Sequence, residues 1–326
     1  MKKLMVIPLV AAGMAAMVGC SKTPVKEAAK NDAINLANLD TAVAPGTDFY
    51  QYACGGWMKN NPLKPEYARF GTFDQLRDNN QEQIRTLIEG LSETPGQEGS
   101  VGQKIGMLFA MGMDSVKLNE DGYAPIKDQL AEINKLGTKD ELTKMVATLH
   151  KEGMAPFFAL YVGADEKNSS MNIVQLYQAG LGMGDRDYYL LEDESSQKMR
   201  EAYKNYITRL FTLIGSSPEQ ADAAVNAIMK IERGIAEVSF SREDLRDSQK
   251  NYNKMSIEDF KAKNDLLNWD VYFESMGMMD IKYLDAKQLS FYEGLSALMK
   301  NTTLDEQKYY LTFNLLSFCL LYTSDA

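Results

Sequence analysis

Residues 196–239, SQKMREAYKNYITRLFTLIGSSPEQADAAVNAIMKIERGIAEVS, hold the pattern that decides the fold class. Apolar residues recur at helical spacing on both sides of a short polar break, GSSPEQ, at 215–220. Within that break, Ser217 is suited to capping a helix and Pro218 to its first helical position. The stretch therefore predicts two long antiparallel helices joined by a tight connection.

Helical periodicity also covers much of the chain on either side of this pair. Between residues 72 and 91, apolar side chains that include Phe73 and Ile88 recur at near-helical spacing. Thr138 and Ser256 stand where helix N-caps are expected. Three more helical stretches, separated by glycine or polar breaks, are predicted at 102–113, 126–136 and 139–151.

One segment departs from the helical pattern. Residues 157–162 and 171–177 are rich in β-branched and aromatic side chains, and the polar, turn-prone run GADEKNSS (163–170) separates them. Two such runs joined by a turn predict a β-hairpin. The predicted fold class is therefore mainly α with one small β-hairpin.

Composition limits the classes of partner. The chain has 326 residues, 45% of them hydrophobic and 25% charged, which is usual for a globular protein with a sizeable core. The formal net charge is −10 at pH 7, and no basic patch or basic helix face is visible. Because an acidic surface repels phosphate backbones, a nucleic acid is not expected as a partner.

The N-terminus predicts export and a lipid anchor. Residues 1–20, MKKLMVIPLVAAGMAAMVGC, combine two lysines, an apolar run and small residues before Cys20, which is the layout of a signal peptide. The ending MVGC resembles a bacterial lipobox, so lipidation of Cys20 is predicted; an ordinary secretory signal or a membrane helix is the alternative. Residues 21–40 suit a flexible tether. The expected location is the bacterial cell envelope, in the periplasm or at the cell surface, with membrane attachment through the lipid.

The only histidine, His150, limits the chemistry. A zinc peptidase site of the HExxH type needs two histidines one helical turn apart and a third ligand, so this chain cannot build it. His150 lies at the end of a predicted helix, where the helix dipole favours a cation, and a structural role is favoured over a catalytic one. No carboxylate pair stands out as an acid–base couple. We therefore predict no catalytic residue and no metal ligand in this chain.

Two arginines in PEYARFGTFDQLRDN (65–79) are candidate ligand-binding residues. Arg69 precedes a glycine turn, and Arg77 follows eight residues later on a predicted helix. Arginine binds a carboxylate through two parallel hydrogen bonds. The alternative is that both are surface arginines that offset nearby acids such as Asp74 and Asp78, in exposed ion pairs of little energetic weight.

Four segments together resemble a known family, the neprilysin and endothelin-converting-enzyme family of zinc metallopeptidases. Each is moderate evidence alone, and their order along residues 41–315 makes the resemblance strong. The segments are PGTDFYQYACGGWMKNNPLKPEYARFGTFDQLRD (45–78), GADEKNSSMNIVQLYQAGLGMGDRDYYL (163–190), LRDSQKNYNKMS (245–256) and TTLDEQKYYL (302–311).

The resemblance implies a bilobal, largely helical enzyme. In this family the catalytic lobe is built mainly from the C-terminal part of the chain, where HExxH and a downstream glutamate bind zinc. The other lobe is a helical lid that closes over a chamber and admits peptides rather than folded proteins. The family arginines that match Arg69 and Arg77 face this chamber, where they hold the C-terminal carboxylate of a peptide. The resemblance thus favours a substrate-binding role for Arg69 and, more weakly, for Arg77.

The resemblance also explains two unusual parts of this chain. The segment like DFYQYACGGW runs close to the catalytic lobe in the family, which implies that its rings pack against later sequence. The family's partner for the cysteine at position 54 also lies in that C-terminal part, so Cys54 is expected to be a free thiol. Residues 316–326, LSFCLLYTSDA, are interpreted as an aberrant tail outside the match, with a genuine apolar helix end as the alternative.

The sequence therefore predicts one function and one alternative. The chain is expected to be the N-terminal substrate-chamber part of a cell-envelope zinc metalloendopeptidase that hydrolyses peptides, spanning residues 41–315. Its partners would be peptide substrates and a missing catalytic half, and by itself it would neither bind catalytic zinc nor cleave peptides. The alternative is a non-catalytic helical lipoprotein that binds peptides or another partner.

Overall fold

The computed structural model describes residues 34–63 and 70–319. The chain divides into two units between Leu87 and Ile88, and the two are described separately below. Three of the predicted features lie wholly or mainly outside the described residues: the signal peptide at 1–20 with Cys20, the tether at 21–40, and the tail at 316–326. Within the described ranges, no helix combines the length and the apolar character needed to cross a membrane.

In the first unit, the aromatic stretch at 47–57 forms a helix. Helix α1 (Phe49–Asn60) begins after Asp48, whose side chain accepts a hydrogen bond of 2.9 Å from the backbone N–H of Gln51. A Cβ on Gly56 would lie 2.4 Å from the carbonyl oxygen of Ala37, so glycine allows the preceding chain to pack directly on the helix. Helix α2 (Thr72–Glu93) begins in this unit and extends past its boundary.

The second unit is mainly helical, as predicted. The pair that decides the fold class appears as α8 and α9, with Ser217 and Gln220 forming a capping box and Pro218 in the first helical turn. Thr138 and Glu141 form a second capping box. The helices of this unit that follow α2 are α3 (Val101–Met113), α4 (Ser115–Asp121), α5 (Lys127–Lys135), α6 (Lys139–Lys151), α7 (Asp187–Leu190), α8 (Glu194–Leu213), α9 (Pro218–Val238), α10 (Ile257–Lys263), α11 (Trp269–Met276), α12 (Leu289–Lys300) and α13 (Leu304–Cys319).

The predicted hairpin belongs to a larger sheet. Strands β1 (Phe158–Asp165) and β2 (Asn168–Gln178) pair antiparallel, as the sequence predicts. Two further short strands, β3 (Lys254–Ser256) and β4 (Tyr283–Ala286), complete a four-stranded sheet in the order β1-β2-β4-β3. The added strands have three and four residues, too few for a two-residue alternation to be recognised in the sequence.

The core of the second unit lies around α9. This helix packs against α8, α12 and α13, and its buried residues include Ile228, Ile231 and Ile235. Helix α6 packs against α11, where Tyr272 is fully buried. Because α9 lies among three other helices, a polar group on its inner face is removed from water and needs a partner within the protein.

Helix α13 continues past residue 315. Leu316 is buried, and the hydroxyl groups of Ser317 and Tyr206 lie 3.2 Å apart. The part of the proposed tail that the structure describes, 316–319, therefore packs on the core as the end of a helix.

Candidate functional site

Arg77 lies on α2 in the first unit and is half exposed. Its guanidinium forms ion pairs with Asp74 at 3.2 Å and with Asp78 at 3.5 Å. These are the acids named in the surface-arginine interpretation, and Asp74 also accepts a hydrogen bond from the backbone N–H of Gly71 at the start of α2. Arg69 lies outside the described residues. The substrate-binding role of both arginines stays a prediction.

His150 lies at the end of α6, as predicted, but it is neutral rather than cationic. Because the carbonyl oxygen of Pro156 can only accept a hydrogen bond, Nε2 of His150 donates to it at 3.1 Å, and Nδ1 accepts from the Tyr272 hydroxyl at 2.6 Å. Burial lowers the pKa of His150 to about 4. The cost of burying a charged imidazole therefore outweighs the favourable effect of the helix dipole on a cation. Both ring nitrogens of His150 form hydrogen bonds within the protein.

The residues present do not fit a catalytic zinc ion. Both ring nitrogens of His150 are hydrogen-bonded inside the protein, so neither is available as a ligand. Across residues 34–63 and 70–319, no group of three or more histidine, cysteine, aspartate or glutamate side chains is arranged to hold a metal. The two cysteines in these ranges, Cys54 and Cys319, are free.

A concave feature of the second unit is a cavity of about 630 Å³. One wall is the segment AGLGMGDR at 179–186, which follows β2 and is called the glycine loop below. The other walls come from the end of α13, the segment after α9 and residues 153–155. We call this feature the glycine-loop cavity. Its volume falls in the range of about 300–1,000 Å³ typical of small-molecule sites.

A buried carboxyl group lies at the base of this cavity. Glu232, on α9, is 1% exposed, and its Oε2 accepts hydrogen bonds from the hydroxyls of Tyr189 at 2.6 Å and Tyr203 at 2.9 Å. Burial raises the pKa of Glu232 to about 7, because the tyrosine donors offset only part of the desolvation of the charged form. The Tyr189 hydroxyl in turn accepts from the backbone N–H of Met183, which ties the glycine loop to the carboxyl group.

Sequence reasoning missed Glu232 as a functional candidate. The signal was present, because a lone acid stands among Ile228, Ile231 and Ile235 on the apolar side of a predicted helix. Its partners are far away in the sequence, since Tyr189 precedes it by 43 residues. A carboxyl group with a raised pKa beside a cavity is a candidate for binding or proton exchange.

The two family-like segments at 163–190 and 245–256 contact each other at the sheet. Asp165, from the turn motif of the β1–β2 hairpin, accepts a hydrogen bond from the Tyr252 hydroxyl at 2.9 Å and pairs with Lys254 at 2.7 Å. The hydrogen bond from Lys254 is the main cause that lowers the pKa of Asp165 to about 2. Lys287 and Asp285 form a neighbouring buried pair at 2.9 Å. The contacts of Asp165 join β1 to β3, and the Lys287–Asp285 pair lies at the end of β4, so both have a structural role.

The fold matches that of two solved structures, one of which is described as a zinc metalloprotease. Zmp1 of Mycobacterium tuberculosis in complex with an inhibitor superposes with a TM-score of 0.78 at 23% identity, covering 90% of this chain and 45% of that one. PepO from Lactobacillus rhamnosis HN001 superposes with a TM-score of 0.69 at 20% identity, covering 87% and 45%. At these identities the likeness shows the fold alone, and it covers less than half of each solved chain.

Sequence comparison shows the family. Endothelin-converting enzyme 1 of Mus musculus is 29% identical over 340 residues, covering 96% of this chain and 43% of the relative. The human enzyme of the same name is 30% identical over 292 residues, covering 86% and 37%. The model described as peptidase family M13 matches residues 45–326, past the limit near residue 315 that the resemblance gave. The chain therefore belongs to peptidase family M13, which confirms the resemblance to neprilysin and the endothelin-converting enzymes. It spans less than half the length of these relatives.

Proposed function

We propose that this chain is the N-terminal, substrate-chamber part of a cell-envelope zinc metalloendopeptidase that hydrolyses peptides. The observation that carries the proposal is the family match along residues 45–326, combined with coverage of only 37–43% of the endothelin-converting enzymes compared above. The catalytic zinc would be held by the part of the intact protein that this chain lacks, because its own histidine is engaged in the core.

Each unit exposes apolar side chains, which supports the proposal that a further part of the intact protein packs against them. In the first unit, Phe49 and Tyr50 on α1 are more than two-thirds exposed. In the second unit, α3 exposes Val101, Leu108 and Met111 to a similar degree. Contiguous exposed apolar residues of this kind mark surfaces that pack against protein. On the proposed function, the catalytic half covers them.

The proposed role of this part is to bind and admit the peptide, not to perform the chemistry. Because Arg69 and Arg77 match the family arginines, both are proposed to bind the C-terminal carboxylate of the substrate. For Arg77 to do so, the carboxylate must compete with Asp74 and Asp78, which pair with the guanidinium here. Exposed pairs are worth about 0–1 kcal/mol, so a bidentate substrate contact of about 1.5–3 kcal/mol can replace them.

The test is to read the genomic frame beyond codon 326 and to express the complete frame. We expect it to encode HExxH and a downstream glutamate, and the product to cleave a quenched fluorogenic peptide in a chelator-sensitive way. In that enzyme, Arg77→Gln should raise KM about tenfold for a peptide with a free C-terminus and leave its C-terminal amide unaffected. Arg233→Gln, which alters an exposed ion pair on α9, is the matched control.

Three results would count against the proposal. A stop directly after codon 326 would favour the non-catalytic helical lipoprotein and redirect the search to its ligand. Chelator-sensitive cleavage by the present chain alone would contradict the assignment of zinc to the missing half. Equal effects of Arg77→Gln on the acid and the amide would remove the carboxylate role of Arg77 while leaving the enzyme class intact.

Membrane attachment through Cys20 is part of the proposal and has its own test. We expect the full chain to incorporate radiolabelled palmitate in a bacterial host and to fractionate with membranes, because residues 1–20 have the layout of a lipoprotein signal. Cys20→Ser should lose both the label and the membrane association, whereas Cys54→Ser should keep both. Label on the Cys20→Ser variant would contradict lipidation at this position.

A further inference from the structure

Arg186 in the glycine loop is a cation that forms no ion pair with an acidic residue of the described ranges. One of its terminal nitrogens donates a hydrogen bond of 2.6 Å to the carbonyl oxygen of Ser239, after the end of α9. Within the part of the chain that the structure describes, the Arg186 guanidinium forms no ion pair. A guanidinium has five N–H donors, so this half-buried group keeps donors for a further acceptor.

The other charged side chains that line the cavity are already bonded. Asp185 pairs with Arg242, and the carboxyl group of Glu232 accepts from two tyrosine hydroxyls. Asp244 pairs with Lys250 at 2.7 Å. Arg186 contributes to lowering the pKa of Asp185 and of Asp244 from a distance, yet it contacts neither of them as an ion pair. Among residues 34–63 and 70–319, the positive charge of Arg186 in this cavity is therefore not neutralised by an ion pair.

The walls around this charge are largely apolar. The side chains that line the glycine-loop cavity with Arg186 include Met154, Leu181, Phe240, Leu245, Phe313 and Phe318. Phe313 is buried, whereas Phe318 is 38% exposed and lies near the rim formed by the end of α13. Small-molecule sites commonly combine an apolar lining with one or a few polar groups that fix orientation.

We propose that the glycine-loop cavity binds a carboxylate carried on a short apolar or aromatic chain, with Arg186 holding the carboxylate. Arginine is the side chain best suited to this contact, because its planar fork matches the two carboxylate oxygens. The apolar walls would then take the chain of the ligand. Such a ligand is either the C-terminus of a peptide or a free small organic acid. The inference does not depend on the proposed function, because binding is measured without catalysis.

Isothermal titration calorimetry on the purified full chain tests the proposal with three probes. They are N-acetyl-Leu-Phe with a free carboxylate, its C-terminal amide, and 3-phenylpropanoate. We expect at least one of the two acids to bind with a Kd below about 1 mM, and the amide to bind at least about tenfold more weakly than the peptide acid, because charge-assisted hydrogen bonds are lost. Binding of the peptide acid alone assigns the site to peptide C-termini, and binding of 3-phenylpropanoate alone assigns it to small acids.

Variants separate a binding role of Arg186 from a structural one. Arg186→Gln should weaken the acid that binds by at least about tenfold, and Arg186→Lys should retain part of the binding because it keeps the charge. Arg209→Gln, an exposed arginine on α8 outside the cavity, should bind as the wild type does. The proposal is overturned if neither acid binds at about 5 mM, if the peptide acid binds and its amide binds equally well, or if Arg186→Gln leaves the affinity of the acid that binds unchanged. The comparison of acid with amide uses the wild-type chain and holds even if a variant fails to fold.

Discussion

Replacing Glu232 by glutamine is expected to remove the fall in stability with rising pH that this carboxyl group causes between about pH 4.5 and pH 7. The folded-state pKa of Glu232 is raised from 4.5 to about 7. A carboxyl group with a raised pKa stabilises the fold fully below its unfolded pKa, and this contribution is lost as the pH rises through the folded value. Above pH 7 the raised pKa of Glu232 lowers the free energy of unfolding by ~3 kcal/mol relative to its value below pH 4.5.

Glutamine should preserve the local structure, because it is neutral at every pH and has nearly the same shape. Its carbonyl oxygen can accept from the hydroxyl of Tyr189 or Tyr203, and its amide can donate to a hydroxyl oxygen. The groups that surround the carboxyl group are Tyr189, Tyr203, Tyr310 and the backbone N–H of Gly182. None of these groups changes charge between pH 5 and pH 8, because burial raises the pKa values of the tyrosines.

The measurement is urea unfolding of wild type and Glu232→Gln at several pH values from 5 to 9. His150 acts in the opposite direction, because its pKa is lowered from 6.5 to about 4 and its contribution is lost as the pH falls through that range. Because both proteins contain His150, its contribution cancels when the unfolding free energy of the wild type is subtracted from that of the variant. Glu237→Gln on the same helix, with an exposed side chain, is the control and should leave the pH profile unchanged. If Glu232→Gln follows the wild-type profile throughout, the tyrosine donors offset desolvation completely and Glu232 is an ordinary anion.

The sequence predicted those parts of the fold that local signals determine. Ser217 followed by Pro218, and Thr138 followed three residues later by Glu141, are contiguous signals, and the helices begin there. The hairpin was predictable because two β-rich runs flank a turn. Strands β3 and β4 were missed because each is only a few residues long and exists through pairing with distant strands.

The candidate site was less predictable, because it depends on burial and on contacts between distant segments. The neutral state of His150 follows from its burial, and its hydrogen-bond partner Tyr272 lies 122 residues away, whereas the sequence showed only the helix end. Within the described residues Arg186 has no ion pair because Asp185 and Asp244 pair with Arg242 and Lys250 instead, and residue spacing does not predict those pairs. The family motifs mark the glycine loop, and the structure explains why it is built from Gly180 and its neighbours.

Gly180→Ala is expected to destabilise the chain by about 2–5 kcal/mol, the sum of a backbone cost and a packing cost. Gly180 has a φ of +94°, which side chains disfavour, and a Cβ there would lie 2.6 Å from the Tyr310 hydroxyl and 2.9 Å from the backbone nitrogen of Phe157. The Tyr310 hydroxyl donates to the carbonyl of Gly180 at 2.8 Å and accepts from the N–H of Phe157 at 3.1 Å. Displacing the ring would break both bonds, and Phe157 itself has a positive φ of 67° and little freedom to adjust.

Gly184→Ala provides the matched control for this prediction, because it has the backbone cost without the packing cost. Gly184 lies in the same loop with a φ of +78°, and a Cβ there would meet nothing within 4 Å. Its replacement should cost about 1–2 kcal/mol in urea unfolding followed by circular dichroism. An equal loss for the two variants would mean that the loop moves away from Tyr310 at little cost. The glycine-loop cavity would then have a mobile wall. In that case the acid affinity of Arg186→Gln would have to be compared with the acid affinity of Gly180→Ala before the weaker binding was ascribed to the lost charge.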